Sequence, residues 1–151
     1  MPIATSSVKI DISSENKTEE LAVKISKKLK PGNIVFFYGE IGVGKTTFIK
    51  YFIQEFQKAN KLKQTEITSP TFNLLNEYQI KTIRINHYDL FRLKSNEEVK
   101  ILDLFTDIQN TITLIEWPEI IKEKPKNLIE FIFKYEENYE KRFVNIKGLD
   151  L

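Results

Sequence analysis

Two kinds of apolar pattern recur along this 151-residue chain. Short alternating or continuous apolar runs predict β-strands, whereas apolar residues spaced three and four apart predict amphipathic helices. The predicted strands cover residues 8–12, 34–38, 72–78, 82–88, 111–116, 128–135 and 142–147. The predicted helices cover about 16–29, 45–59 and 95–105.

Two polar clusters that resemble capping boxes set the starts of the first and third predicted helices. One is Asn16 with Glu19, and the other is Ser95 with Glu98. The resulting order, β-α-β-α-β-β-α-β-β-β, predicts an α/β fold with a mixed sheet. We expect a parallel centre containing 34–38 and 111–116, antiparallel hairpins at the edges and helices on both faces. Residues 1–151 are expected to form one domain.

The segment between the second strand and the second helix fits the phosphate-binding pattern G-x-x-x-x-G-K-[ST]. It begins at Gly39 and ends in Gly44, Lys45 and Thr46. Backbone N–H groups of such a loop surround phosphates, and the following helix N-terminus adds partial positive charge. Lys45 is therefore predicted to contact the β- and γ-phosphates, and the Thr46 hydroxyl to bind Mg²⁺.

Three further segments carry candidate chemistry. Glu116 ends an apolar strand, where a carboxylate can hold Mg²⁺ beside a phosphate loop. Asp89 follows another apolar strand and is a candidate for water-mediated Mg²⁺ binding or for orienting the attacking water. Arg92 either pairs with Asp89 or contacts a partner, and His87, the single histidine, also fits a structural role.

The hydroxyl-rich segment around Pro70 is the third of these. Ser69 and Thr71 flank the proline at the entrance to a predicted strand. Such a loop suits a switch that senses the γ-phosphate, and it also suits an ordinary turn. Both interpretations stay open at this stage.

Composition narrows the protein class only modestly. Zero cysteines exclude disulfides and a thiol nucleophile, and a net charge of +2 is too small to indicate a nucleic-acid-coating protein. No apolar stretch has the length of a membrane span, and the first residues lack the apolar core of a signal peptide. We therefore expect a cytoplasmic protein that binds neither membrane nor DNA.

Together, these motifs resemble the TsaE family, the small bacterial ATPases required for threonylcarbamoyladenosine modification of tRNA. The resemblance rests on the phosphate loop, Ser-Pro-Thr-Phe at 69–72, His-Tyr-Asp-Leu-Phe-Arg at 87–92 and Glu-Trp at 116–117, and covers about residues 13–148. It implies a P-loop fold and Mg-ATP binding with slow hydrolysis. It also implies a complex with TsaB and TsaD, which modify adenosine 37 of tRNA, with this chain resetting the complex between turnovers.

The resemblance also implies roles for individual residues. Lys45, Asp89 and Glu116 would serve catalysis, and Thr46 and Glu116 would bind the metal. Trp117 would lie near the nucleotide, and Thr18 belongs to a region that would approach the adenine. Ser69, Thr71, His87 and Arg92 would belong to switch or partner-facing segments. The residues expected to bind the nucleotide through the loop are Glu40, Ile41, Gly42, Val43, Gly44, Lys45, Thr46 and Thr47. The family more often has Asp-Leu at 40–41 and Ala at 43.

Rival functions make different demands on the sequence. A GTPase needs D-x-x-G and N-K-x-D motifs, and neither occurs. A small-molecule or nucleoside kinase remains the enzymatic alternative, although the chain lacks an Arg-rich lid. A nucleotide-gated binding module, with incidental hydrolysis, is the other alternative. Lys58, Lys61 and Lys63 leave open a direct tRNA contact, for which a solvated face is the competing interpretation.

Overall fold

The computed structural model describes residues 7–70 and 73–151. Its strands are β1 (Val8–Asp11), β2 (Ile34–Tyr38), β3 (Leu75–Ile80), β4 (Ile83–Asp89), β5 (Thr111–Glu116), β6 (Ile129–Glu136) and β7 (Lys141–Lys147). Its helices are α1 (Glu15–Ser26), α2 (Lys45–Ala59) and α3 (Asn96–Leu102), followed by a single 3-10 turn at Pro118–Ile120. The predicted order of strands and helices is confirmed.

One seven-stranded sheet joins all the strands in the order β1-β7-β6-β2-β5-β4-β3. β2 is parallel to both β5 and β6, and β4 is parallel to β5. The outer strands β3, β7 and β1 pair antiparallel. The predicted mixed sheet is therefore confirmed, with one refinement. The inner strands β4 and β6 of the two hairpins belong to the parallel centre. β3 is the antiparallel edge on one side, whereas on the other side β7 lies between β6 and the edge strand β1.

Apolar sequences explain why β2 and β5 lie at the centre of the sheet. All six residues of β5 are buried, as are the first four of β2, because helices or loops cover both faces of the sheet. The larger core lies between the sheet and the pair α1 and α2. Aromatic rings fill it beneath the phosphate loop: Phe37 and Phe48 each lie 5.2 Å from Phe131, measured between ring centroids. A smaller core with α3 covers the opposite face, which confirms helices on both faces.

The first helix starts earlier than predicted, because Ser14 caps it in place of Asn16. Helix α1 begins at Glu15, because the Ser14 side chain accepts a hydrogen bond from the Lys17 backbone N–H at 3.2 Å. The predicted capping box at Asn16 is therefore wrong. For α3, the Ser95 cap is confirmed, since its hydroxyl accepts from the Glu98 N–H at 3.3 Å.

Two other ends shift by several residues. Helix α3 stops at Leu102, because Asp103 adopts the left-handed conformation with φ of 52°. Phe105 therefore lies beyond the helix, although it still packs against the smaller core. Strand β3 begins at Leu75 rather than at residue 72, and Phe72 lies outside the described residues.

Gly39 sets how closely the phosphate loop packs on β6. Its φ is +147°, and a Cβ there would lie 2.9 Å from Phe133 Cβ and 3.0 Å from the Phe133 carbonyl oxygen. We expect Gly39→Ala to lower the free energy of unfolding by roughly 2–4 kcal/mol, from backbone strain and overpacking together. Urea denaturation measures this loss.

Gly32→Ala is the matched control for this substitution. Gly32 also has a positive φ, +95°, but a Cβ there meets nothing within 4 Å. Its loss should be only about 1 kcal/mol, from backbone strain alone. Equal losses in the two variants would contradict the close packing of the loop on β6.

Candidate functional site

A cleft of about 270 Å³ lies at the carboxyl ends of the parallel strands. This is where ligands bind in open α/β sheets. The phosphate loop and the start of α2 form one wall, and the ends of β4 and β5 form the other. The cleft is lined by Ile41, Gly42, Gly44, Lys45, Thr46, Thr47, Ser69, Asp89, Phe91, Glu116 and Trp117. The structure thus brings together most of the residues that the sequence singled out.

Lys45 is the buried cation of the cleft, with only 4% of its surface exposed. Its Nζ donates a hydrogen bond to the Gly39 carbonyl oxygen at 2.5 Å and lies 3.6 Å from the centroid of the Trp117 ring. The ring face is electron-rich and attracts the ammonium group. Loop backbone and tryptophan therefore hold the lysine over the cleft.

Burial lowers the pKa of the Lys45 amine, while the nearby carboxylates of Glu116, Glu119 and Asp89 act in the opposite direction. A desolvated ammonium gains more from an anion at close range than a solvated one does. An anionic phosphate in the cleft would favour the charged form of Lys45. The Lys45 ammonium therefore suits a phosphate ligand.

Thr46 and Glu116 meet across the cleft. The Thr46 hydroxyl donates to Glu116 Oε1 at 2.9 Å, although the two residues are 70 positions apart in sequence. Glu116 is 2% exposed and ends β5, where it pairs in register with Asp89 of β4. Parallel pairing of β4 with β5 therefore places both carboxylates at the same edge of the sheet.

The donor set fits a magnesium ion. Mg²⁺ takes six oxygen ligands, usually one or two from carboxylates and the rest from phosphates and water. A hydroxyl and a carboxylate oxygen already within 2.9 Å of each other supply two such ligands beside the phosphate loop. Within the described ranges, 7–70 and 73–151, no group of three or more His, Asp or Glu side chains is placed to hold a metal ion.

Asp89 lies at the outer side of the cleft. Its Oδ1 accepts a hydrogen bond from the Phe91 backbone N–H at 3.0 Å, and its Oδ2 accepts from the Ser69 hydroxyl at 3.1 Å. These two bonds orient the carboxylate and tie the Ser69 segment to the end of β4. Ser69 thus lines the cleft, whereas Thr71 lies outside the described residues.

His87 does not lie on a loop. It is a residue of β4 with 0% of its surface exposed, and its Nε2 lies 2.7 Å from Glu116 Oε2. Of the two interpretations of His87 from sequence, a switch or partner-facing residue and a structural residue, its complete burial favours the structural one. His87 belongs to the carboxylate cluster.

Trp117 and Phe91 form an aromatic rim on one side of the cleft. Their ring centroids lie 4.8 Å apart, and Trp117 adopts the left-handed backbone conformation with φ of 57°. This sharp turn directly after β5 directs the indole back over Lys45. Trp117, the single tryptophan of the chain, thus lines the cleft.

Several predicted residues do not line the cleft. Thr18 is buried in α1, where its hydroxyl donates to the Ser14 carbonyl oxygen at 3.4 Å. Glu40 is exposed, whereas the Val43 side chain is part of the main core and the Val43 N–H donates to the Glu40 carbonyl oxygen at 3.2 Å. Arg92 is exposed and lines a smaller depression beside Asp89.

One residue beside the loop was missed by sequence reasoning. Arg142 Nη1 lies 3.8 Å from the position that a Cβ on Gly44 would take, and Arg142 Nη2 donates to the Ser13 carbonyl oxygen at 3.3 Å. No local pattern marks Arg142, which belongs to β7 near the far end of the chain.

Lys58, Lys61 and Lys63 are exposed near the end of α2. They lie at the opposite end of that helix from the cleft, so they form no part of the cleft.

Among the described residues, no helix has the length and apolar character needed to cross a membrane.

Comparison with known proteins identifies the family. Residues 12–144 match the family model of TsaE, described as threonylcarbamoyl adenosine biosynthesis protein TsaE. The TsaE protein of Rickettsia bellii is 44% identical over 136 residues, which cover 89% of this chain and 91% of that protein. The TsaE protein of Aquifex aeolicus is 34% identical, over 86% of this chain and 90% of the relative.

A solved structure has the same fold. The crystal structure of Bacillus subtilis YdiB superimposes with a TM-score of 0.72, covering 99% of this chain and 90% of that one. The two sequences are 21% identical over this match. This likeness shows the fold of the chain, whereas the family membership rests on the sequence matches.

Proposed function

The chain belongs to the TsaE family, and from this premise we propose that it is a Mg²⁺-dependent ATPase that acts in tRNA threonylcarbamoyladenosine modification. It binds Mg-ATP in the cleft and hydrolyses it slowly. The observation that carries the proposal is the convergence of Lys45, Thr46 and Glu116 in one buried site at the phosphate loop.

Each side chain has a defined task in this proposal. Lys45 leaves the Gly39 carbonyl and binds the β- and γ-phosphate oxygens. Thr46 and Glu116 hold Mg²⁺, which neutralises charge that develops on the phosphates. Asp89, oriented by Ser69 and the Phe91 N–H, aligns the attacking water.

The proposed partners are TsaB and TsaD, which carry out the transfer to adenosine 37 of tRNA, while this chain resets their complex between turnovers in the cytoplasm. The cleft has an exposed apolar rim that supports a partner close to the nucleotide. Ile41 is 72% exposed on the phosphate loop, and Phe91 is 57% exposed on the other side. A partner that covered the cleft would bury both of these apolar side chains. Contact with tRNA is proposed to run through the complex.

The test is ATP hydrolysis by the chain alone and then with TsaB and TsaD added. We expect a slow Mg²⁺-dependent rate that rises in the presence of the partners, and Lys45→Ala should remove both the basal and the stimulated rate. Repeated rounds of tRNA modification by TsaB and TsaD should then require this chain and hydrolysable ATP.

Each other outcome has a definite meaning. If a non-hydrolysable ATP analogue supports repeated rounds, the chain is a nucleotide-gated binding module. If the partners give no stimulation and phosphate is transferred to an added nucleoside, the chain is a kinase and the proposed function is wrong.

A further inference from the structure

His87 is fully buried beneath the cleft, behind the Glu116 carboxylate of the proposed metal site. Its Nε2 lies 2.7 Å from Glu116 Oε2, while the Thr46 hydroxyl donates to Glu116 Oε1 at 2.9 Å. Both oxygens of the buried carboxylate therefore have a partner. A carboxylate held at both oxygens has one orientation, which is the requirement for a preorganised metal ligand.

The surroundings of the imidazole define which nitrogen donates. Nδ1 is buried and has no hydrogen-bond partner among the described residues. A carboxylate oxygen only accepts hydrogen bonds, so the ring must present its N–H at Nε2. His87 thus donates from Nε2 to Glu116 Oε2.

Packing alone does not call for an imidazole at this position. Side chains alternate along β4, so His87 faces α2 together with Ile85 on one side and Asp89 on the other. Ile85 and its register partner Ile112 fill the next layer with apolar side chains. A buried polar ring is costly unless its hydrogen bond is made, and here that bond is made to Glu116. The contact with Glu116 is what distinguishes His87 from its apolar neighbour.

We propose that His87 is a positioning residue for magnesium: its Nε2–H fixes Glu116 Oε2 and thereby aims Oε1, with the Thr46 hydroxyl, at the metal of Mg-ATP. The inference rests on the proposed ATPase function and adds a residue that acts through Glu116 without touching the nucleotide. Loss of such an outer partner weakens metal binding or activity by roughly 10–100-fold.

The test compares His87→Gln, His87→Asn and His87→Leu. The glutamine amide nitrogen reaches about the position of Nε2, whereas the asparagine amide nitrogen reaches only about that of Nδ1. Calorimetric titration of ATP, once with excess Mg²⁺ and once with a chelator, gives the factor by which the metal strengthens binding. In the Asn and Leu variants this factor should fall roughly 10–100-fold, with metal-free affinity unchanged. The Gln variant should keep most of it.

Ile85→Val is the packing control, because it removes a buried methyl group from the same face of β4 without reaching Glu116. In this variant, Mg²⁺ should strengthen ATP binding by the same factor as in the unsubstituted chain. If the Leu variant fails to fold, the Gln and Asn pair still decides, since both are polar and differ only in reach. If Mg²⁺ strengthens ATP binding equally in the Gln and Asn variants, the proposed role of His87 is wrong. No metal dependence in the unsubstituted chain would overturn the proposed function as well.

Discussion

We expect Lys45→Ala to weaken Mg-ATP binding by more than about 100-fold. Lys45 is buried in the cleft, and in the proposed function its ammonium group makes charge-assisted hydrogen bonds with two phosphate groups. Each such bond contributes about 1.5–3 kcal/mol, and 1.4 kcal/mol corresponds to a tenfold change in affinity. Calorimetric titration of the variant with Mg-ATP measures the loss directly.

Lys50→Ala is the matched control for charge. Lys50 lies on the same helix, five residues further on, and does not line the cleft. The variant loses the same unit of charge, so a general electrostatic effect would appear in both variants. Affinity close to that of the unsubstituted chain in Lys45→Ala would contradict the assignment of the phosphate site.

Glu116→Gln removes Mg²⁺-dependent hydrolysis while leaving metal-free ATP affinity nearly unchanged. The substitution keeps the shape of the side chain but removes the negative charge that the metal requires. A bound metal ion contributes several kcal/mol of transition-state stabilisation, so we expect the rate to fall at least about 100-fold. Steady-state ATP hydrolysis over a series of Mg²⁺ concentrations measures it.

Glu119→Gln is the matched control, because it shows whether removing a nearby negative charge is enough to slow hydrolysis without removing the proposed metal ligand Glu116. The carboxylates of Glu116 and Glu119 both raise the pKa of Lys45 and so oppose the effect of burial. Glu119, however, is exposed and does not line the cleft. Its hydrolysis rate should stay within about twofold of the unsubstituted chain, as is typical of exposed charge changes. Full Mg²⁺-dependent turnover in Glu116→Gln would transfer the metal role to Asp89, and Asp89→Asn would then show the loss instead.

The contacts between distant residues of the site could not be predicted from the sequence alone. Glu116 is recognisable because a carboxylate ends an apolar strand, but its hydrogen bond to Thr46 joins residues 70 positions apart. His87 falls within the predicted strand 82–88, at the start of a run with three ionisable residues in six positions, and the sequence leaves both a structural and a switch role open. Its contact with Glu116 joins residues 29 positions apart, so only the pairing of the strands reveals it.

The phosphate loop, the order of strands and helices, the mixed sheet and the family were all determined by the sequence. Each of these depends on short-range signals: glycines where the backbone must turn, apolar periodicity, and reactive residue types at fixed spacing. Only the tertiary structure decided which side chains meet. Parallel pairing of β4 with β5 sets Asp89 beside Glu116, and the pleat sets His87 directly beneath it. A shift of one residue in that register would turn each of these side chains to the opposite face, and no local pattern specifies the register between distant strands.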